Sequence, residues 1–160
     1  MKKIFFIVAI FATAFVQRSF AQDNAQSYQP SQLLPLYYSI KDALVSGDAN
    51  AASSKAEEFV KTLNGIDEKV ISEGNRNALL TDAGNISETK DIKHQREHFA
   101  SLSSNMVALA KAQKLSTQPI NVVYCPMKKA YWLSSETTIK NPYFGNTMLT
   151  CGKVTETLKQ

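Results

Sequence analysis

Residues 87–113, SETKDIKHQREHFASLSSNMVALAKAQ, decide the fold. Ile92, Phe99, Leu102, Met106 and Leu109 return at helical spacing along one stripe, the pattern of a helix with one buried face. The spacing predicts a helix from about Ser87 to Gln113, and so long a stripe needs other helices to cover it. The chain before it supplies them. Leu33, Leu36, Tyr37, Ile40 and Leu44 recur at three- and four-residue steps, with Ser31 as N-cap and Pro35 in the first turn, where a missing N–H is tolerated. Ser46-Gly47-Asp48 ends that helix and caps the next, which buries Ala52, Ala56, Phe59, Val60 and Leu63. So short a connection makes the two an antiparallel hairpin. Between the hairpin and residue 87 a weaker helix is expected from Asp67 to Leu80, with Asp82-Ala83-Gly84-Asn85 breaking the chain after it.

The expected class is therefore mainly α. It is an antiparallel bundle of about four helices with a small irregular C-terminal lobe carrying short β-strands. After Pro119 the pattern changes. Ile120, Val122, Val123 and Tyr124 form a β-prone run ending at Cys125, and Tyr131-Trp132-Leu133 suits a second short strand. Asn141 to Asn146 reads as a turn or loop, and Met148 to Leu158 fits strand or helix equally.

Upstream, Met1-Lys2-Lys3, an apolar run from Ile4 to Val16 and the small-x-small site Ser19-Phe20-Ala21 read as an export signal over residues 1–21. The run is too short to span a bilayer, and no later stretch approaches that length, so no membrane span is expected in the mature chain. A mobile tail over 22–30 and one domain over 31–160 follow from composition and length. Periplasmic or secreted localisation is the expectation. Removing residues 1–21 takes Lys2, Lys3 and Arg18 and no acid, so the chain's 18 bases fall to 15 against 14 acids. A net charge of about +1 leaves no basic footprint for nucleic acid.

Both cysteines and two of the four methionines lie in two short pairs, Cys125-Pro126-Met127 and Met148-Leu149-Thr150-Cys151. Thiolate and thioether form a soft donor set that suits Cu(I) or Ag(I). Pro126 biases Cys125 toward extended backbone, where residues two apart point the same way. Met148 and Cys151 converge if their segment makes one helical turn. Gly145 and Gly152 flank the second pair and let backbone approach a neighbour closely. In an exported chain the competing account is a Cys125–Cys151 disulfide, worth about 3–4 kcal/mol by loop closure. That account explains the cysteines and is silent on Met127 and Met148. Methionines, for their part, most often fill cores.

His94 and His98, the two histidines, stack on one helical face. His98 lies roughly 70° from the centre of the apolar stripe and His94 roughly 110°, so His98 borders the bundle and His94 leans to solvent. Histidine-Gln95-Arg96-Glu97-histidine is not the zinc-protease pattern, whose second position is Glu. A Cys125–His98 nucleophile pair lacks a third orienting group, no phosphate loop is present, and no haem attachment motif occurs. No enzyme is expected.

Three strings carry a resemblance: His94 to Phe99 followed by Leu102-Ser103; Tyr124-Cys125-Pro126-Met127; and Trp132-Leu133-Ser134 continuing through Asn141-Pro142-Tyr143-Phe144-Gly145 to Met148-Leu149 and Cys151-Gly152-Lys153-Val154. Together they resemble the domain of unknown function 3347, found in exported bacterial proteins and attached to periplasmic adaptor subunits of heavy-metal efflux pumps. The resemblance runs from the Tyr37-Tyr38 helix onward. It implies copper or silver handling, with a pump adaptor as partner, and points at His98, Cys125, Met127, Met148 and Cys151 as the metal ligands. The short Lys128-Lys129-Ala130 link departs from many members, which carry a longer insert there. The expected function is thus Cu(I) or Ag(I) binding for buffering or delivery, and the alternative is a disulfide-stapled interaction domain.

Overall fold

The computed structural model describes residues 28–159, so the export-signal reading and residues 22–27 of the expected tail lie outside the described residues. Four helices and a three-stranded sheet follow in chain order: α1 (Leu33–Ser46), α2 (Ala49–Asn64), α3 (Glu73–Glu88), α4 (Ile92–Ala112), β1 (Ile120–Cys125), β2 (Ala130–Ser134) and β3 (Lys153–Leu158). Successive helices pack on one another, and α4 carries β2 on another of its faces. The mainly helical bundle with a strand lobe matches the expectation. Among the described residues no helix is long and apolar enough to cross a membrane.

Local chemistry explains most helix ends. A 3-10 turn over Pro30–Gln32 leads into α1, and the Gln29 N–H donates to Gln32 Oε1 at 2.9 Å, so the entry is set by Gln29 and Pro30 rather than by Ser31. Gly47 adopts φ 78° at the end of α1, and Asp48 accepts the Ala51 N–H at 2.9 Å to open α2. Residues 28–30, placed in the mobile tail by composition, are tied down. Tyr28 bridges to Ile66, and its N–H donates to the Gly65 carbonyl at 3.2 Å.

α3 departs from the expected bounds. It starts at Glu73, because Asp67 instead closes a turn by accepting the Lys69 N–H at 2.8 Å. It then runs through Asp82-Ala83-Gly84-Asn85 without a break. Ala83 and Ile86 are fully buried, and Asp82 accepts from Asn105 Nδ2 at 3.0 Å, so packing on α4 outweighs the local preference of these residues for turns. The break falls at Thr89, which is extended, and Asp91 caps α4 through the Lys93 N–H at 2.8 Å.

The core forms one cluster through bundle and lobe. Phe99, Leu102 and Met106 are fully buried, as the stripe requires. Tyr37 joins the layers: its ring stacks on Phe99 at 5.2 Å, its hydroxyl meets Ser103 Oγ at 2.7 Å, and the Leu133 N–H of β2 donates to it at 3.0 Å. Burial pushes this phenol well above its ordinary pKa.

Sheet order is β2-β1-β3, all antiparallel. The segment ambiguous between strand and helix resolves as strand from Lys153. β1 meets β3 with Ile120 opposite Leu158, and the register shifts between Val122 and Val123, whose partners are Glu156 and Val154. Thr155 is the extra residue of this bulge, and its Oγ1 donates to the Val122 carbonyl at 3.1 Å.

Candidate functional site

Cys125 is the last residue of β1, and Cys151 stands two residues before β3. Because Tyr124 pairs with Lys153, the end of β1 and the approach to β3 lie side by side, and the two sulfurs come within 3.9 Å. Both thiols are free. Cys125 is fully buried and Cys151 half-buried. The separation is a contact between two thiols, well beyond the bonded distance of about 2.05 Å.

The loops around the pair aim N–H groups at it. The turn from Pro126 to Lys129 closes with Lys129 in the left-handed region, φ 56°, and brings the Lys128 N–H to Cys125 Sγ at 3.4 Å. Asn141, fully buried, donates from Nδ2 to Cys125 Sγ at 3.2 Å and also to the Cys151 carbonyl. Its Oδ1 accepts the N–H groups of Tyr143 at 2.8 Å and Phe144 at 3.3 Å, and its own N–H donates to the Leu149 carbonyl at 2.8 Å. One amide therefore fixes both thiol loops. Read from sequence, Asn141 is only the start of a turn; its position before Pro142, where an Asn side chain closes onto the backbone two residues on, was the available signal.

Burial, the hydrogen bond with Cys125 and the charge on Cys125 hold the Cys151 thiol above its ordinary value, against a Met127 backbone N–H that favours its thiolate. At this distance two thiolate charges would repel each other. An ion that displaces both protons would remove that conflict.

Met127 and Met148 belong to the same loops. The Cys151 N–H donates to the Met148 carbonyl at 3.1 Å, and the Met127 N–H serves Cys151. Their side chains are open to solvent, Met127 at 62% and Met148 at 37% exposure, so neither fills the core. The two glycines have the expected close neighbours. A Cβ on Gly152 would lie 2.6 Å from the Trp132 ring, and one on Gly145, at φ 54°, 2.4 Å from Arg96 Nη2.

His98 stands elsewhere. Its Nε2 meets His94 Nε2 at 3.0 Å and its Nδ1 meets Asn85 Nδ2 of α3 at 3.4 Å. These contacts turn it toward α3, so the structure does not bring it to the sulfur pair. Arg96, about 160° around α4 from His98, is the side chain that faces the lobe. Among the described residues no group of three or more His, Cys, Asp or Glu side chains is arranged to hold a metal ion. What the fold brings together is a pair of thiols, with Met127 and Met148 exposed on the same loops.

A family profile described as a protein of unknown function (DUF3347) matches residues 33–118, more than half of the chain. The match covers the four helices and stops just before β1, so the lobe with the sulfur pairs lies beyond it. No curated protein and no solved structure matches the chain.

Proposed function

The chain belongs to the DUF3347 family of proteins of unknown function, and from that premise we propose that it is an exported soft-metal-binding protein that takes Cu(I) or Ag(I) at Cys125 and Cys151. The observation that carries the reading is the pair of free thiols 3.9 Å apart, one buried and one near the surface, between loops that expose Met127 and Met148. Soft monovalent ions prefer thiolate and thioether donors and accept low coordination numbers, so two thiolates suffice where a hard ion would need an oxygen cage. The N–H groups of Asn141 and Lys128 stabilise thiolate on the buried sulfur and hold it in place, the part outer partners play around metal ligands. Exposed thioethers at the rim suit capture and hand-over. Buffering, or delivery to the periplasmic adaptor of an efflux pump, is the role that fits an exported carrier of this kind, and the adaptor rests on the family resemblance alone.

The test is a competition titration of reduced protein with Cu(I) against a chelator of known affinity. One tight site is expected, lost in Cys125→Ser and strengthened as pH rises, because both thiols must give up protons. Loss of Met127 and Met148 together weakens the site without abolishing it. If stoichiometric Cu(I) or Ag(I) adds no thermal stability to the reduced protein, the proposal fails, since a ligand of the native state must raise stability.

The same sulfur contact favours a second reading, a Cys125–Cys151 disulfide in an interaction domain. The thiols are 26 residues apart in sequence and lie at adjacent ends of paired strands. Closure there would contribute about 3–4 kcal/mol. Thiol counting on protein isolated without reductant separates the two.

A further inference from the structure

Beside the sulfur lobe, between α4, the β1–β2 turn and the segment after Tyr143, lies a cavity of about 280 Å³. Its charged lining is Lys93, Arg96 and Lys128 against a single acid, Glu97, with Tyr143, Phe144 and Thr147 completing the wall. Among the described residues none of the three bases is in an ion pair with a carboxylate. Arg96 is the unusual member. Its Nη2 donates to the Leu44 carbonyl at 2.7 Å, one of the open carbonyls at the end of α1, while its buried Nε has no hydrogen-bond partner. Burial pushes this guanidinium below its ordinary pKa, the mark of a cation short of compensating charge. Gly145 leaves room for it, since a Cβ there would also come within 2.9 Å of the Val45 carbonyl. The fold thus keeps a glycine in a left-handed turn to admit a guanidinium that it then leaves largely unpaired. A half-buried cation without a counter-charge is costly unless something outside the chain supplies one.

We propose that this cavity is a binding site for a small oxyanion, a carboxylate or phosphate held by Arg96 with Lys93 and Lys128. Guanidinium has five N–H donors in a planar fork that matches either group, and the ammonium groups of Lys93 on α4 and Lys128 in the β1–β2 turn add charge. The volume equals roughly nine water molecules at about 30 Å³ each, enough for phosphate or a short dicarboxylate. The site uses none of the sulfur donors, so it stands or falls apart from the metal reading. It is nonetheless adjacent to them, because Lys128 gives its side chain to the cavity and its backbone N–H to Cys125.

The experiment titrates isotope-labelled, reduced full chain with inorganic phosphate and, separately, with succinate at constant ionic strength, following amide resonances. Saturable shifts centred on Arg96, Lys128 and Thr147 are expected from at least one probe, and the probe that saturates names the oxyanion. Lys128→Gln should weaken binding about tenfold, the loss of one charge-assisted contact. Arg96→Gln should abolish it. Because Arg96 also caps α1, Lys128→Gln and Lys93→Gln keep the test valid if that variant fails to fold. Shifts that chloride reproduces, no saturation with either probe, or unchanged affinity in both lysine variants would overturn the site.

Discussion

Replacing Asn141 by alanine removes the buried amide that bonds to both thiol loops. The Tyr143 N–H and the Cys151 carbonyl lose their partner in surroundings where Asn141 is fully buried, and Cys125 Sγ loses its donor at 3.2 Å. A buried polar group left unsatisfied costs about 1–3 kcal/mol. With water reaching the Cys151 side more easily than the Tyr143 side, the loss should be about 2–4 kcal/mol in all. For a domain of this size that is a fall in Tm of roughly 8–15 °C. Asn141→Asp separates stability from site chemistry. Aspartate still accepts from Tyr143 and Phe144 but has no N–H for sulfur, and it sets a carboxylate beside the thiols. Its stability loss should be the smaller of the two at low pH, while its Cu(I) affinity should fall further, because a neighbouring anion opposes thiolate. Thermal melts of the reduced proteins and the chelator competition read both quantities. An alanine variant that melts within 2–3 °C of the parent, which corresponds to less than about 1 kcal/mol, with unaltered thiol reactivity, would refute the claim that this amide holds the pair.

Three further outcomes follow from the geometry. His98→Ala should leave Cu(I) affinity within about twofold of the parent, since its contacts are with His94 and Asn85 rather than sulfur; a large loss would place the helix in the site after all. Gly152→Ala should cost about 1–3 kcal/mol, because the new methyl would meet Trp132 at 2.6 Å, and a neutral result in urea unfolding would show that the indole shifts freely. Stability should decline above pH 10. Burial raises the phenols of Tyr37 and Tyr143, and that of Tyr38 to about 12. A raised group stabilises fully below its unfolded value and loses that contribution as pH climbs through the folded one, at up to about 1.4 kcal/mol per pH unit for each. Urea melts from pH 8 to 11.5 that stay flat would contradict the burial of these rings.

The bundle was readable wherever one face is apolar and the caps are local. α1, α2 and α4 have such a face, and most residues of their stripes are buried, although Leu36, Val60 and Ile92 are only half-buried and Leu34, Gln95 and Ser103 are buried outside the stripes. α3 has neither. Its turn-forming residues at 82–85 are held helical by contacts with α4 that no local pattern records. β3 was ambiguous because it is an exposed edge strand, with no buried face to give a period of two. In the site, spacing brought out the two cysteines but gave His98 the wrong neighbours. An angle from the stripe centre says that a residue borders the core, not which border. His98 lies roughly 70° to one side, toward α3; Arg96 and Ser103 lie roughly 90° and 70° to the other, toward the lobe and Tyr37. A single helix wheel cannot choose between those borders, because the choice depends on which neighbour packs where.

The meeting of the thiols depends on one inserted residue. Before the bulge, β1 and β3 pair so that Val122 faces Glu156; continued unchanged, that register would set Cys125 opposite Lys153 and leave Cys151 two residues away. Thr155 takes up one residue, Tyr124 then faces Lys153, and Cys125 comes opposite Gly152 with Cys151 next to it. The gain is about 3.3 Å along the strand, the rise of one residue, and it is nearly as large as the 3.9 Å that finally separates the sulfurs. Gly152 can occupy the place opposite Cys125 because it has no side chain to strike Trp132. A short strand with no buried face has little of its own to fix register. Here the hydroxyl of Thr155 on the Val122 carbonyl and that of Thr157 on Asn121 Oδ1, at 2.9 Å, supply it. The β-edge, the least legible part of the sequence, is therefore what sets the distance on which the chemistry of the two cysteines depends.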